Sequence, residues 1–373
     1  MRVLMTGGGT AGHVNPAIAI AEIIKKREHD SVIEFVGTKR GLESRLVPEA
    51  GYKLHFVDVE GLKRSLSLGN IKVAVKALKS VSEAKKIIRE FSPDVVIGTG
   101  GYVCWPLIKA AASLGIPCAL HEANAEPGLA VKMLSHKVDL IMTEFESAKK
   151  ALNTKKGKVY VTGLPVKSGF RKEKNASSRD AQGVCANINR VIISFGGSLG
   201  AERLNSAIID FIDCYIRAHS ETLLIHASGR RSYDDFLSRA RERIGALPEN
   251  VMVLPYINDM AAKLSIADLA ITRAGASTMA ELAAMRTPSI LVPSPNVTKD
   301  QQTKNARVYE KNGAALLLPD AELSGERIAE LVERFFNEDM ADGMQSSLEQ
   351  FDFPECDNDI YRYVKMITDK KQE

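Results

Sequence analysis

The sequence of 373 residues predicts an α/β protein made of two doubly wound, Rossmann-like domains that face each other across a cleft. Short apolar segments alternate with amphipathic segments, which is the pattern of parallel strands connected by helices. The alternation stops in the polar stretch at residues 164–190 and then starts again. The length is sufficient for two domains with separate hydrophobic cores.

The first domain is predicted at residues 1–165. Between its strands the apolar residues have helical spacing, as in Ala17, Ile20, Ala21 and Ile24. Because strands and helices alternate on this scale, we expect a parallel sheet with helices on both faces. The predicted strands are Val3–Thr6, Val32–Val36, Lys53–Val57, Val95–Ile97, Cys118–Leu120, Leu140–Met142 and Val159–Val161.

The second domain is predicted at residues 166–355. Its first strand, Val191–Phe195, is followed by two glycines, as Val3–Thr6 is followed by three. Each domain therefore begins with a strand, a glycine turn and a helix. Ligands of open α/β sheets bind beyond the carboxyl ends of the strands, so we expect the site in the cleft between the domains.

Composition excludes several classes of protein. The chain is 45% hydrophobic and 26% charged, which is typical of a globular protein, and no apolar run is long enough to span a membrane. Five scattered cysteines without a CxxC motif argue against disulfides and structural zinc. The beginning, MRVLMTGGG, is too short for a signal peptide, so we expect a cytosolic protein. With 6% aromatic residues and no recognition motif, nucleic acid is not an expected partner.

The net charge of +4 is unevenly distributed. Residues 1–165 contain 24 Lys+Arg and 16 Asp+Glu, whereas the remainder contains 26 and 30. The first half therefore predicts an anionic partner, such as a phosphate or a lipid surface. Residues 63–89 concentrate eight Lys+Arg against one acid, with apolar residues on one helical face. This pattern predicts either a membrane-binding helix or a core-packed helix with a solvated basic face.

Glycine-rich turns follow three predicted strands. The first, Gly7-Gly8-Gly9-Thr10-Ala11-Gly12-His13, satisfies GxGxxG, but the second strand ends without the acid that a dinucleotide site requires. No P-loop is present either, so we predict an anion at a helix N-terminus. The other turns are Gly98-Thr99-Gly100-Gly101-Tyr102 and Gly196-Gly197-Ser198-Leu199-Gly200. Three such turns favour a ligand with several phosphates or sugars over turns that serve the backbone alone.

His13 is the candidate general base. The ordinary pKa of histidine, about 6.5, suits proton abstraction. A helix N-terminus disfavours the imidazolium and so keeps the ring neutral. The residues alone leave open the alternative that His13 only donates a hydrogen bond to a phosphate.

A fourth strand–turn–helix motif extends from Thr272 to Glu281 and reads TRAGASTMAE. Small residues at the helix start leave room for a phosphate, and the Glu281 carboxylate can accept hydrogen bonds from both hydroxyls of a ribose. Alternatively, Glu281 complements the helix dipole or pairs with Arg286.

Two further groups of polar residues follow predicted strands or precede helices. His121-Glu122-Ala123-Asn124 comes just after a strand, which favours the cleft over the core, although a hydrogen-bonded turn is the alternative. Asp300-Gln301-Gln302 suits sugar hydroxyls because each glutamine amide has donors and an acceptor, although glutamines are usually surface residues.

Taken in order, these segments resemble the GT-B superfamily of glycosyltransferases, and within it the transferases of peptidoglycan synthesis. The resemblance extends from Val3 to about residue 335. The segments that carry it are GGGTAGHVNPAIAIAE, IGTGGYVCWP, HEANAEPGL, FGGSLGAERLN, RAGASTMAELAAMRTPSILVPSP and QQTKNA.

The resemblance implies inverting transfer of N-acetylglucosamine from UDP-N-acetylglucosamine to the C4 hydroxyl of N-acetylmuramoyl-pentapeptide on undecaprenyl pyrophosphate, the step from lipid I to lipid II. It implies a first domain that binds this lipid acceptor and an anionic membrane surface at the cytoplasmic face, and a second domain that binds the UDP-sugar. A C-terminal helix at residues 356–370 would pack back onto the first domain. No cofactor and no metal are implied, and proteins of cell-wall synthesis are the further partners we expect.

The resemblance also implies roles for individual residues. His13 matches the proposed base of the family, and Glu122 is the alternative. The donor is expected at Thr10, Ala11, Gly12, Asn124, Lys167, Ser198, Ile257, Ala276, Ser277, Thr278, Met279, Ala280, Glu281, Gln301 and Gln302. The acceptor pyrophosphate is expected at Gly8, Gly9, Thr10, Gly12, Gly100, Gly101 and Tyr102. The membrane is expected at Lys72, Val75, Lys76, Leu78, Lys79 and Trp105.

Two positions depart from the family pattern. Ala11 stands where the family usually has a glycine, and Leu164-Pro165-Val166-Lys167 replaces Asn-Pro followed by a basic residue. The second departure weakens a role for Lys167, which lacks the planar guanidinium of arginine. The alternative functions are a related glycolipid transferase of the GT-B type and a UDP-N-acetylglucosamine 2-epimerase, which needs no lipid acceptor.

Overall fold

The structure, a computed structural model, describes residues 1–60, 69–152, 154, 157–166, 168–171, 184–197, 200–297 and 300–369, with the backbone alone at 69–78, 168 and 171. The chain divides into two compact units. Unit 1 comprises Met1–Pro165 and Phe353–Glu373, and unit 2 comprises Val166–Asp352. The predicted donor residues Lys167 and Ser198 lie outside the described residues, as do the side chains of Lys72, Val75, Lys76 and Leu78.

The described part of unit 1 contains a parallel sheet with helices on both faces. Its strands are β1 (Arg2–Thr6), β2 (Val32–Gly37), β3 (Lys53–Phe56), β4 (Val95–Gly98), β5 (Cys118–Glu122), β6 (Leu140–Thr143) and β7 (Lys158–Val161). Its helices are α1 (Ala11–Arg27), α2 (Glu43–Glu49), α3 (Gly69–Phe91), α4 (Cys104–Ser113), α5 (Leu129–Leu134), α6 (Glu146–Lys150) and, from the end of the chain, α14 (Cys356–Asp369).

The strand order in this sheet is β3-β2-β1-β4-β5-β6-β7. The direction of winding therefore reverses between β1 and β4, where Met5 lies opposite Ile97. Such a reversal leaves a crevice beyond the carboxyl ends of the two central strands. The loops after β1 and β4 are the first two predicted glycine turns.

Alternation along the strands builds a core on each face of the sheet. Val3 and Met5 of β1 belong to one core, whereas Leu4 between them belongs to the other. Helix α14 completes the first core with side chains spaced three to four residues apart, the spacing of one helical face. These are Cys356, Ile360, Val364 and Ile367.

The described part of unit 2 repeats this architecture. Its strands are β8 (Arg190–Phe195), β9 (Thr222–Ala227), β10 (Val251–Leu254), β11 (Leu269–Thr272), β12 (Ser289–Leu291) and β13 (Leu316–Leu317). Its helices are α7 (Glu202–Cys214), α8 (Tyr233–Ile244), α9 (Met260–Ile266), α10 (Ala276–Met285), α11 (Gln301–Lys311), α12 (Gly325–Asn337) and α13 (Ala341–Leu348). The order β10-β9-β8-β11-β12-β13 reverses between β8 and β11, so the crevice of this unit lies beyond those two strands.

Strand β5 shows the largest difference from the predicted strand ends, most of which agree to within one residue. Strand β5 continues for two residues beyond Leu120, because His121 pairs with Met142 and Glu122 pairs with Thr143 in the parallel ladder. His121 and Glu122 are therefore strand residues and not loop residues. Within the described ranges, no helix has both the length and the apolar character needed to cross a membrane.

Candidate active site

The two glycine turns of unit 1 touch each other at the reversal between β1 and β4. The Gly8 N–H donates to the Gly100 carbonyl at 3.4 Å. A side chain at Gly101 would place its Cβ 2.2 Å from the Gly8 carbonyl oxygen, and the φ of Gly101 is +83°. Glycine is therefore required here both for the left-handed backbone and for the close approach of the two loops.

His13 lies in the first turn of α1, directly above these loops. Its Nδ1 is 3.2 Å from the Gly8 carbonyl oxygen and 3.1 Å from Thr10 Oγ1. A carbonyl oxygen can only accept, so Nδ1 carries the proton and Nε2 has the lone pair in the neutral ring. Gly100 leaves room beside this edge of the ring, since a Cβ there would be 2.7 Å from His13 Cδ2.

Burial lowers the pKa of His13, and this outweighs the hydrogen bond to Gly8 and the charge of Glu43, which both raise it. The imidazole is therefore neutral at physiological pH. A neutral ring with its proton on Nδ1 is ready to accept a proton at Nε2, as a general base requires.

Part of the predicted pyrophosphate site is already used within the protein. The Gly8 N–H is bonded to Gly100, and the Gly9 N–H donates to Glu43 Oε2 at 3.0 Å. Ala11 and Gly12 begin α1, whose first N–H groups have no intrahelical acceptors. The positive end of α1 is thus the part of this loop that suits an anion.

The predicted group after β5 is largely internal. His121 is fully buried, and its Nε2 bonds to the Gly163 carbonyl at 2.9 Å, so its expected place in a cleft is wrong. The physical reason is the longer strand, which directs this side chain into the interior. Burial lowers the pKa of His121 to about 4, so the ring is neutral.

Glu122, the alternative base, organises the loop before α5. Its Oε1 accepts from the backbone N–H and the side-chain amide of Asn124, both at 2.9 Å, and its Oε2 accepts from the Gly128 N–H at 2.8 Å. Glu122 is 3% exposed, and burial raises its pKa more than these bonds lower it. Asn124 is half-buried and is oriented by Glu122.

The crevice of unit 2 has a similar construction. Gly200, with a φ of +78°, approaches the loop after β9, and a Cβ there would lie 2.3 Å from the Ser228 carbonyl oxygen. Asn205 of α7 fixes the same loop, because its Nδ2 donates to that carbonyl at 2.9 Å and its Oδ1 is 3.2 Å from His226 Nε2. Ile257, the predicted uracil contact, is 2% exposed in the loop between β10 and α9.

Helix α10 carries the fourth predicted motif. Ser277, Thr278 and Glu281 are half-buried, while Ala276 and Ala280 are buried. Met279 is 1% exposed, which makes it a core residue, and its N–H donates to the Gly275 carbonyl in the first turn of the helix.

Two alternatives from the sequence remain to be compared with the structure: the pairing of Glu281 with Arg286, and Gln301 and Gln302 as ordinary surface residues. Arg286 forms an ion pair with Glu349 at 2.8 Å, not with Glu281. Gln301 and Gln302 begin α11 and are half-buried. The Gln302 Oε1 accepts from the Ser294 N–H at 2.8 Å, which orients the amide and leaves its Nε2 as the donor that could face a ligand.

Sequence reasoning missed three buried charged groups near these sites. Glu43 lies beneath the first glycine turn, Arg273 lies between β11 and α10, and Glu144 follows β6. The sequence did contain a signal for Arg273, because this residue stands between an apolar strand and a glycine. A charged side chain at such a position is rarely buried without a partner. Within the described ranges, no group of three or more His, Cys, Asp or Glu side chains is arranged to hold a metal ion.

The chain is similar to known proteins along nearly its whole length. Residues 3–143 match the N-terminal domain of glycosyltransferase family 28, and residues 191–359 match the C-terminal domain of that family. A protein of Lactococcus lactis subsp. lactis (strain IL1403), named UDP-N-acetylglucosamine--N-acetylmuramyl-(pentapeptide) pyrophosphoryl-undecaprenol N-acetylglucosamine transferase, is 39% identical over 375 residues. The match covers 99% of this chain and 100% of that protein.

Solved structures show the same fold. MurG from Acinetobacter baumannii has a TM-score of 0.77 at 27% identity, covering 98% of this chain and 99% of that one. A UDP-GlcNAc 2-epimerase from Neisseria meningitidis has a TM-score of 0.65 at 13% identity, covering 98% of this chain and 100% of that one, a likeness of fold alone. Together with the two parallel sheets, these likenesses confirm the predicted GT-B fold class.

Proposed function

The chain belongs to glycosyltransferase family 28, and from this membership we propose that it transfers N-acetylglucosamine from UDP-N-acetylglucosamine to the lipid-linked N-acetylmuramoyl-pentapeptide, converting lipid I to lipid II. The observation that carries the proposal is the similarity to the Lactococcus lactis transferase, which covers both proteins from end to end. The epimerase, which shares only the fold, is 13% identical over a comparable length. Sequence identity, not architecture, therefore favours the transferase.

In the proposed reaction, Nε2 of His13 takes the proton of the acceptor C4 hydroxyl while the oxygen attacks the anomeric carbon of the donor sugar. The bond from that carbon to the β-phosphate oxygen breaks, and UDP leaves with the electron pair. Attack from the side opposite to UDP inverts the α configuration to β. The proton on Nδ1, which is held by the Gly8 carbonyl, supports this assignment because it leaves Nε2 as the basic atom.

Unit 2 is proposed to bind the donor. The start of α10, from Ala276 to Thr278, offers N–H groups and a positive helix end to the diphosphate. Glu281, one turn later, accepts from the ribose hydroxyls. Gln301 and Gln302 contact the sugar hydroxyls, and the backbone of Ile257 contacts uracil.

Unit 1 is proposed to bind the acceptor pyrophosphate at the start of α1, with Thr10, Ala11 and Gly12 as the nearest groups. Tyr102 closes this loop from the β4 side, because a Cβ on Gly9 would lie 3.1 Å from its ring. The positive end of the helix offsets the charge of the pyrophosphate.

Unit 1 is also proposed to bind the cytoplasmic face of the membrane, as a peripheral protein. Besides the basic helix α3, the described surface has Leu129 and Met133 on α5, which are 50% and 48% exposed and one helical turn apart. Helix α4, which packs against α5, presents Trp105 with the Lys109 ammonium 4.4 Å from the centre of its ring. Exposed apolar residues beside lysines suit the boundary between lipid headgroups and acyl chains.

The decisive experiment is the transfer of labelled sugar from UDP-N-acetylglucosamine to a short-chain analogue of the lipid acceptor. We expect a labelled disaccharide lipid and one equivalent of UDP. An epimerase would convert UDP-N-acetylglucosamine without any lipid, and a related glycolipid transferase would label diacylglycerol vesicles instead. Either of these results, without product on the pyrophosphate-linked acceptor, would contradict the proposal.

A further inference from the structure

We propose that Glu43 is a positioning residue that acts on His13 through one peptide group, the group that joins Gly8 to Gly9. The inference deepens the proposed function and rests on the role of His13 as base. The Gly8 carbonyl accepts from His13 Nδ1–H at 3.2 Å, and the Gly9 N–H donates to Glu43 Oε2 at 3.0 Å. This carbonyl and this N–H belong to the same peptide group, which is planar and trans, so they point in opposite directions. Glu43 and His13 are therefore bonded to opposite edges of one rigid unit.

The carboxylate of Glu43 is enclosed and held by further donors. Glu43 is 1% exposed at the start of α2. Its second oxygen, Oε1, accepts from the Thr38 N–H at 3.0 Å and from Thr38 Oγ1 at 2.6 Å. A buried carboxylate is tolerated when hydrogen bonds replace its water. The bonds from Thr38 anchor one oxygen, and the other is directed at Gly9.

Three glycines from separate segments make room for this side chain. A Cβ on Gly8 would lie 2.8 Å from the Glu43 carboxyl carbon, and one on Gly41 would lie 2.1 Å from its Oε2. A Cβ on Gly37, at the end of β2, would lie 2.6 Å from Glu43 Cγ. A carboxylate that only complemented the dipole of α2 would sit at the surface and need no such space. The three glycines therefore leave the space that the Glu43 side chain fills beneath the glycine turn.

The consequence for His13 is electronic as well as geometric. An N–H that donates to an anion makes the carbonyl of the same peptide a stronger acceptor, because hydrogen bonds in a chain polarise one another. The Gly8 carbonyl then holds the Nδ1 proton more firmly and makes Nε2 more basic. Carboxylates that bond directly to a histidine N–H fix its tautomer in the same way. In this protein a peptide group stands between the two side chains.

Among the described residues, Glu43 is the titratable group whose charge acts on the His13 ring. Its negative charge raises the pKa of His13 against the effect of burial. From α1 itself the ring meets the Thr10 hydroxyl, and from the loop after β4 it meets the backbone of Gly100 and Gly101. Loss of the Glu43 charge should therefore lower the pKa of His13.

The test is Glu43→Gln, which keeps the size of the side chain and removes its charge. We expect kcat to fall about 10- to 100-fold, as for other partners that orient a reactive group through a hydrogen bond. The acid limb of the kcat/KM profile should move to lower pH, because the pKa of His13 falls. In the free protein, ¹⁵N spectra of labelled histidine should show the Nδ1–H tautomer and a lower pKa of His13 in the variant. Thr38→Val is the matched control: it loosens the same carboxylate without removing the charge, so the acid limb should stay.

The outcomes separate this inference from the proposed function. A normal acid limb and an unchanged pKa of His13 in Glu43→Gln would reduce Glu43 to a packing role and overturn the inference. An Nε2–H tautomer in the wild type would also overturn it. If instead His13→Ala keeps the acid limb, the base role fails while the spectra still test the link between Glu43 and His13. Should Glu43→Gln not fold, Glu43→Asp withdraws the carboxylate from Gly9 and must lower the same pKa; no change would overturn the inference.

Discussion

Arg273 and Asp320 form a buried ion pair in unit 2, with 2.6 Å between Arg273 Nη1 and Asp320 Oδ1. Their side chains are only 10% and 7% exposed. The same nitrogen donates to the carbonyls of Val292 and Pro293 at 3.2 and 3.3 Å, and Asp320 Oδ2 is 3.3 Å from Arg203 Nε. One charged pair thus joins the end of β11 to the loop after β12 and to α7.

Asp320→Ala should destabilise unit 2 and weaken donor binding. Removal of one partner leaves the Arg273 charge buried without compensation, which typically costs about 3–5 kcal/mol. Arg273 also donates to Val292 and Pro293 in the loop that leads to Gln301, and without Asp320 its guanidinium is less firmly held, so the affinity for UDP should fall. Urea unfolding and titration calorimetry with UDP measure the two effects. The control is Arg334→Ala, since the exposed pair of Arg334 and Glu338 contributes less than about 1 kcal/mol; equal losses in both variants would contradict the prediction.

Glu281→Ala should reduce the affinity for the UDP-sugar by about 1–3 kcal/mol, the range for loss of a hydrogen bond to a charged group. Calorimetry with UDP-N-acetylglucosamine measures the change. Glu310→Ala on the exposed face of α11 removes the same charge from unit 2 and should leave the affinity unaltered. An unchanged affinity in Glu281→Ala would remove this residue from the donor site.

His13→Ala should lower kcat by about 10²–10⁴-fold, the usual contribution of a general base, with little change in acceptor KM. His13→Asn should not restore activity, because an amide cannot take up the proton. The acid limb of the pH profile should disappear in both variants. If Asn approaches wild-type activity and the defect of Ala appears in KM, His13 is only a phosphate contact.

Glu144 should make the protein less stable as the pH rises. Burial raises its pKa to about 8, against a hydrogen bond from the Leu164 backbone that lowers it, and its Oε2 has no hydrogen-bond partner among the described residues. The pKa in the unfolded chain is near 4.5, so the folded protein binds the extra proton and its stability falls between about pH 4.5 and pH 8. Glu144→Gln should therefore be more stable than wild type at pH 8, by about 3–4 kcal/mol, the free energy that this difference in pKa represents.

Thermal or urea unfolding of wild type and Glu144→Gln at pH 5 and pH 8 measures whether the stability of the wild type falls as the pH rises. At pH 5 the wild-type carboxyl is protonated in the fold, and the two proteins should have similar stability. A variant that is less stable than wild type at pH 8 would show that the carboxylate is ionised and satisfied in the fold.

Replacement of Leu129 and Met133 by Asp should reduce binding to vesicles that contain anionic lipid. The loss of apolar contact and the added negative charge both oppose binding at the headgroup boundary. Vesicle co-sedimentation measures the partition, and UDP binding should be retained because Ile257 and Glu281, the residues proposed to bind uracil and ribose, lie in unit 2.

The matched control for this surface is Met252→Asp, since Met252 is 41% exposed but belongs to unit 2. Replacement of Lys72, Lys76 and Lys79 by Glu should have the same effect as the α5 variant, at about 1 kcal/mol for each lysine near the surface. If wild type and both unit 1 variants bind the vesicles equally, α3 and α5 are ordinary solvated helices and the prediction is wrong.

Local patterns predicted the secondary structure well and the polar sites less well. Predicted strands such as Val32–Val36 agree with the observed ones because alternation of strand and helix is encoded in each segment. The predicted end of β5 is wrong: its last two residues are polar, but pairing with β6 extends the strand through Glu122. A ladder bond from a neighbouring strand is a tertiary contact, which a single segment does not reveal.

The sequence by itself determined two α/β domains, the glycine turns, the identity of His13 as candidate base and the resemblance to a glycosyltransferase family. These features depend on residues that are close in the chain or on the order of motifs along it. The tertiary structure alone decided which distant groups meet: Gly8 with Gly100, Glu43 with Gly9, and Arg273 with Asp320. The physical reason is that these meetings depend on strand order, which reverses between β1 and β4 and between β8 and β11, and hydrophobic periodicity specifies which residues are buried but not which strands become neighbours.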